Sequence, residues 1–163
     1  VTSVRHRYRV VLGLCALVLL PVAAGCSSMD DTPSAAVPSP GAEAAGLCRN
    51  LDERLPDEVD GLGRNDPEPR SALTAAWGSP AIILRCGVPR PAGMLAKDTD
   101  SIEVNGVGWL MEEGDDGSFR FTTALRRAYV EVTLPKELAS KGLGPLTDLA
   151  QPVKKAIPEG IAD

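Results

Sequence analysis

An apolar run from Val10 to Leu20 divides this chain into a part that is not expected to join a folded domain and a part that is. Arg5, His6, Arg7 and Arg9 precede the run, and Pro21-Val22-Ala23-Ala24-Gly25-Cys26 follows it. A cationic start, a short apolar stretch and small residues are the parts of a secretory leader. Extended to Ala24, the apolar stretch makes about 22 Å of helix at 1.5 Å per residue, which is short against a hydrocarbon layer of roughly 30 Å.

The end of the leader resembles a bacterial lipobox, with Cys26 as the residue that is acylated and becomes the new N-terminus. Ala23 stands where that pattern favours Leu. The alternatives are cleavage near Ala24 and an uncleaved N-terminal membrane helix. The lipobox reading predicts a leader over 1–25, a lipidated cysteine and disordered tether over 26–42, and a single globular extracytoplasmic domain over 43–163. The location it implies is the outer face of the cell membrane, held there by the lipid anchor. Residues Ser27 to Gly41 carry three prolines and little to bury, as a solvated tether would.

Removal of the leader changes which chemistry is open to the rest. Arg5, Arg7 and Arg9 go with it, so 14 of 17 basic residues remain against 22 acidic ones, a formal charge of −8. That balance excludes the basic footprint that nucleic acid requires. His6 is the only histidine and lies in the leader, so the domain lacks the commonest general base and metal ligand. No nucleophile-elbow, phosphate-loop or dinucleotide motif occurs. These absences predict a non-enzymatic domain without cofactor or metal. The acidic stretch Glu112-Glu113-Gly114-Asp115-Asp116-Gly117 lacks the alternating acids of a calcium loop and reads as a hairpin tip.

Beside Cys26, the domain holds Cys48 and Cys86. In an exported chain two such cysteines predict one disulfide. Closing a loop of about 39 residues stabilises by roughly 4 kcal/mol in the chain-entropy model.

Leu47, Cys48, Leu51 and Leu55 recur at helical spacing, which predicts a helix from Ala42 to Leu55. A second short helical piece is expected over Ser71–Trp77. Short apolar runs at 81–86, 101–111, 119–123 and 129–134 predict strands. Leu146, Leu149, Ala150, Val153 and Ile157 predict a closing helical stripe, in which Pro152 either splits it into two turns or sits at the first position of the last helix. The fold class is therefore α+β: an antiparallel sheet of about four strands with N- and C-terminal helices on one face.

Arg85, Trp77 and Trp109 are the leading candidates for binding. Arg85 lies in an apolar strand and requires a carboxylate partner or a pocket edge. Trp77 and Trp109 are either core residues or an exposed platform. Arg126-Arg127 with Arg120 are cations that either take an anion or pair with neighbouring acids.

Several segments carry a family resemblance: Trp77-Gly78-x-Pro80, Leu84-Arg85-Cys86-Gly87-Val88, Val104-Asn105-Gly106-Val107-x-Trp109 and Val130-Glu131-Val132. They resemble an actinobacterial family of secreted or lipid-anchored proteins that bears only a domain-of-unknown-function label. The resemblance implies an envelope location and no activity. The sequence leaves open a binding module facing an envelope protein or cell-wall partner, a small-ligand-binding protein, and an enzyme using carboxylates and Arg in an unfamiliar arrangement.

Overall fold

The structure is a computed structural model that describes residues 32–96 and 99–162. Cys26 lies outside the described residues. The elements in chain order are α1 (Ala42–Asp52), β1 (Glu58–Val59), β2 (Leu62–Gly63), β3 (Thr74–Trp77), β4 (Ile82–Cys86), β5 (Ser101–Val104), β6 (Val107–Glu113), β7 (Phe119–Thr123), β8 (Val130–Leu134) and α2 (Gly144–Ala156). Short 3-10 turns occur at Ala92–Leu95 and Lys136–Lys141. Strands β3 to β8 form one six-stranded antiparallel sheet in the order β3-β4-β8-β7-β6-β5, and β1 and β2 form a separate hairpin.

Six strands replace the four expected, for two reasons. Thr74-Ala75-Ala76-Trp77 has good helical propensity, but pairing with β4 from Thr74↔Arg85 to Trp77↔Ile82 makes it a strand. Propensity is a weak prior against a partner strand that brings its own backbone donors and acceptors. The run 101–111 is two strands, β5 and β6, joined by Asn105-Gly106 with Val104 paired to Val107. Both turn residues have positive φ, 50° and 78°, as a two-residue hairpin turn requires. Asp60-Gly61 joins β1 to β2 with φ of 52° and 74°.

Register sorts every strand into two faces. Ala75, Trp77, Ile82, Leu84, Cys86, Phe121, Trp109, Val107, Val130 and Val132 point inward and join the core with Leu51 of α1 and Leu146, Leu149 and Val153 of α2. The helix α2 runs without a break through Pro152, which is only half-buried. The apolar stripe of α2 faces the sheet, so packing holds the helix together although Pro152 supplies no backbone donor.

The disulfide joins Cys48 on the buried side of α1 to Cys86 at the end of β4, with Cα atoms 5.5 Å apart. It fastens the first helix to the sheet across 38 positions of sequence.

The outer face of the sheet is not bare. Residues 32–41, expected to belong to the tether, lie against it. Ser34 bridges Glu68, Ala35 and Pro38 are buried, and the Ala36 carbonyl accepts a hydrogen bond from Arg85 Nε at 3.0 Å. Pro40 packs on Gly87, whose φ is 87° and where a Cβ would stand 2.5 Å from the proline ring. Prolines that make poor helix or sheet can still cover a flat sheet surface, because that requires apolar area and few donors.

Replacing either Cys48 or Cys86 with Ala is expected to lower unfolding free energy by about 2–5 kcal/mol in urea denaturation. The double variant should be no less stable than either single one, because one bond accounts for both effects. A double variant with additive loss would mean that the two thiols contribute separately.

Candidate functional site

Alternation leaves Ser101, Leu110, Ala124 and Tyr129 on the outer face, near the end of the sheet where β7 hands over to β8. These residues form the floor of a groove of 280 Å³. Met94, Leu95 and Thr99 form one wall, Gly160 and Ile161 the other, and Leu125 and Arg90 lie at its rim. Leu95, Leu125 and Ile161 are 76, 74 and 68% exposed, three large apolar side chains around one opening. Single exposed apolar residues are ordinary, but a cluster around a concavity marks a contact surface.

Leu125 has φ of 52°, a left-handed conformation that costs a non-glycine residue about 1–2 kcal/mol. Its neighbours impose it. The Leu125 carbonyl accepts from Gly160 N–H at 3.0 Å, and Arg127 N–H donates to the Pro158 carbonyl at 3.1 Å. The buried Arg126 guanidinium donates to the carbonyls of Ile157 and Gly106, both at 3.1 Å, and lies 3.8 Å from Glu159. The C-terminal segment is thereby fastened alongside 124–128, and Leu125 is turned outward.

Arg90 stands between Pro89 and Pro91, which stiffen the backbone on both sides. Its Nε donates to the Tyr129 hydroxyl at 2.8 Å, and its guanidinium carbon lies 5.9 Å from the Tyr129 ring centroid. Among the described residues no carboxylate lies within 4 Å of it, so its charge is held at the groove without an ionic partner. A second concavity of 470 Å³ continues past Arg90 and Tyr129 to Pro40, Gly41 and Gly87.

The residues singled out from sequence lie elsewhere. Arg85 pairs with Glu131 at 3.1 Å, and Arg120 approaches the same carboxylate at 3.6 Å. This is a cross-strand ion network on the outer face. Trp77 and Trp109 are fully buried. The Trp77 indole N–H donates to the Pro56 carbonyl at 2.9 Å, and Arg64 stacks over its ring at 5.3 Å. Neither tryptophan forms an exposed platform, because both occupy inward positions of their strands. Arg127 pairs with Glu43.

The groove residues Arg90, Leu125, Tyr129 and Ile161 had only faint sequence signals. Pro89-Arg90-Pro91 is a cation held between two rigid residues, and Leu125 is an apolar residue inside a connection.

Among the described residues no cluster of three or more metal-ligating side chains occurs. In the acidic turn, Gly114 N–H donates to the Ser118 carbonyl at 2.8 Å, and the Asp116 carboxylate accepts from Ser118 N–H at 3.0 Å. Hydrogen bonds from the Ser118 side chain and backbone hold the Asp116 carboxyl below its usual pKa. The side chain caps its own turn.

A family model described as "Protein of unknown function (DUF3515)" matches residues 10–162. The chain belongs to the DUF3515 family. No curated protein and no solved structure matches it.

Two outcomes follow from this geometry. Leu125→Gly is expected to leave unfolding free energy unchanged or raise it by up to about 1 kcal/mol, since it relieves the left-handed strain and removes a side chain that packs on little. A loss above that size in urea denaturation would show that Leu125 is held for stability. The Asp116 carboxyl should titrate by NMR below the free aspartate value of about 3.9, and Ser118→Ala should move it back up. A depressed folded-state pKa contributes stability that is complete above the unfolded value and is lost as pH falls through the folded one.

Proposed function

We propose that this protein is a lipid-anchored envelope protein at the outer face of the cytoplasmic membrane, and that its domain is a non-enzymatic binding module. The observation that carries the binding role is the groove itself. Three exposed apolar side chains, one of them held in a strained backbone conformation, surround a cation that no described carboxylate neutralises.

The groove's chemistry favours contact over catalysis. Its polar side chains are Ser101, Thr99, Tyr129 and Arg90. No histidine exists beyond the leader to activate a hydroxyl. The Thr99 hydroxyl is already engaged with the Gly93 and Ala96 carbonyls at 2.7 Å. At 280 Å³ the groove falls just under the roughly 300–1,000 Å³ of sites that enclose a drug-sized ligand. It suits a surface that touches a larger partner better than one that engulfs a small molecule.

The anchor rests on the leader and on Cys26. The family match begins at residue 10, inside the apolar run, so that run falls within the family's shared span. The Cys48–Cys86 bridge suits an oxidising compartment. At a net charge of −8 the chain beyond the leader has little electrostatic attraction to an anionic membrane, and acyl chains at about 0.8 kcal/mol per buried CH₂ supply what it lacks.

Metabolic labelling with a palmitate analogue tests the anchor. The wild-type chain should be labelled and fractionate with membranes. Cys26→Ser should lose the label and either leave the membrane or keep its leader. Label that persists in Cys26→Ser would refute acylation at that residue.

A further inference from the structure

We propose that the free edge of β5 is a self-association surface. Its occupant is β5 of a second copy of this chain, paired antiparallel about a twofold axis at Ile102, so that two six-stranded sheets become one.

The two edges of the sheet are unlike. The β3 edge is covered by residues 63–65: Asn65 N–H donates to the Ala76 carbonyl at 2.8 Å, Gly78 N–H donates to the Gly63 carbonyl at 2.9 Å, and Arg64 bridges Trp77. At the other edge β5 has β6 as its strand partner and no strand beyond it among the described residues. The hairpin turn fixes which backbone groups are left over. Val104 and Val107 flank a two-residue turn, and residues in that position exchange both of their hydrogen bonds. Alternation makes Ile102 and Trp109 the next bonded pair, and turns the N–H and carbonyl of Ser101 and Glu103 away from β6. Two neighbouring bonds have the same phase. Met111 N–H donates to the Asp100 carbonyl, and the Gly108 carbonyl, facing the other way, accepts from Ala124 N–H, each at 2.8 Å. Among the described residues no backbone group bonds the outward groups of Ser101 and Glu103. Such a row of donors and acceptors is a template for another strand.

The pattern of β5 fits itself. With the axis at Ile102, Ser101 lies opposite Glu103 of the second copy and Glu103 opposite its Ser101, and each is a mutually bonded pair. The half-buried Ile102 meets its own counterpart at the close cross-strand spacing of about 4.5 Å between Cα atoms. On the outer face the Ser101 hydroxyl faces the Glu103 carboxylate, a donor against an acceptor. At the ends of the pair Asp100 comes opposite Val104, next to the turn where Lys154 lies. The Lys154 Nζ is 3.0 Å from the position a Cβ on Gly106 would take. Asp100 and Lys154 are both exposed, and neither has an ion pair among the described residues. Symmetry makes this meeting of opposite charges twice. Other registers lose these features. An axis at Glu103 sets two carboxylates directly opposite, which is destabilising. An axis at Ser101 places Glu103 beyond the end of the facing β5. Strands of four residues make a contact well below the roughly 1,200–2,000 Å² of stable interfaces, so the pair is reversible and the test traps it covalently.

The test uses the full chain in cells, with limited proteolysis to check that each variant is folded. Ile102→Cys should give a disulfide-linked homodimer on a non-reducing gel, because the facing Cα atoms, about 4.5 Å apart, are within disulfide reach. The unsubstituted chain and Gln151→Cys, exposed on α2, should remain monomeric. Adding Glu103→Pro removes an outward N–H and leaves the β5–β6 ladder intact, and the Ile102→Cys dimer should be lost. Ile102 packs partly on the core, so a second pair uses the exposed positions 101 and 103. Ser101→Cys and Glu103→Cys on differently tagged copies should join each other across about 5.5 Å, while like positions, about 8 Å apart, should not join. Should Ile102→Cys fail to fold, this pair decides. Any of four results would overturn the proposal: no dimer from the folded variants, dimers at 151 as abundant as at 102, a dimer that survives Glu103→Pro, or like-with-like links as abundant as 101–103 links. A disulfide to a different protein as the main product would overturn it as well, by assigning the edge to another partner.

Discussion

Cys86 holds two positions at once. It is the last inward residue of β4, paired in register with Val130 of β8, and it is bonded to Cys48 on the buried side of α1. Because neighbouring residues of a strand point to opposite faces, the bond decides which face of the sheet the helix covers. Ile82 and Leu84 go to the core with Cys86, while Ile83 and Arg85 turn to the other side. Through the ladder β3-β4-β8-β7-β6-β5 the same parity passes to every strand. A slip of one residue would send Arg85 and Glu131 into the core and the core residues into water.

The face left uncovered by helices is finished with irregular chain. The ion network of Arg85, Glu131 and Arg120 occupies its middle. The segment 33–40 covers the β3–β4 side, and the Ala92–Leu95 turn approaches β6, where Gly93 lies against Leu110 and Glu112. What is left between these covers is the groove. It is made by incomplete coverage of a flat sheet, and its walls come from three distant parts of the sequence. Arg126 is the fastening that keeps the last of them in place, and the strained backbone of Leu125 is a consequence of that fastening.

The sequence by itself determined the leader-like segment, the pairing of Cys48 with Cys86, the helical stripe of α1 and the antiparallel α+β class. Each of these is local or compositional: an apolar run, a count of cysteines, a period of 3.6 or 2. The turns Asn105-Gly106 and Asp60-Gly61 were also legible as hairpin signals, although strand counting passed over both. The tertiary structure decided the rest. It made Thr74–Trp77 a strand, because pairing with β4 on one side and bridging to Arg64 on the other outweigh the helical preference of two alanines. It put Trp77 and Trp109 in the core, because register and not residue type chooses the face. It laid residues 33–40 on the sheet, because their worth lies in area covered and not in any periodic pattern. The groove was beyond sequence for the same reason: Arg90, Leu125 and Ile161 meet only after β4, the β7–β8 connection and the C-terminal segment have been brought to one end of one face.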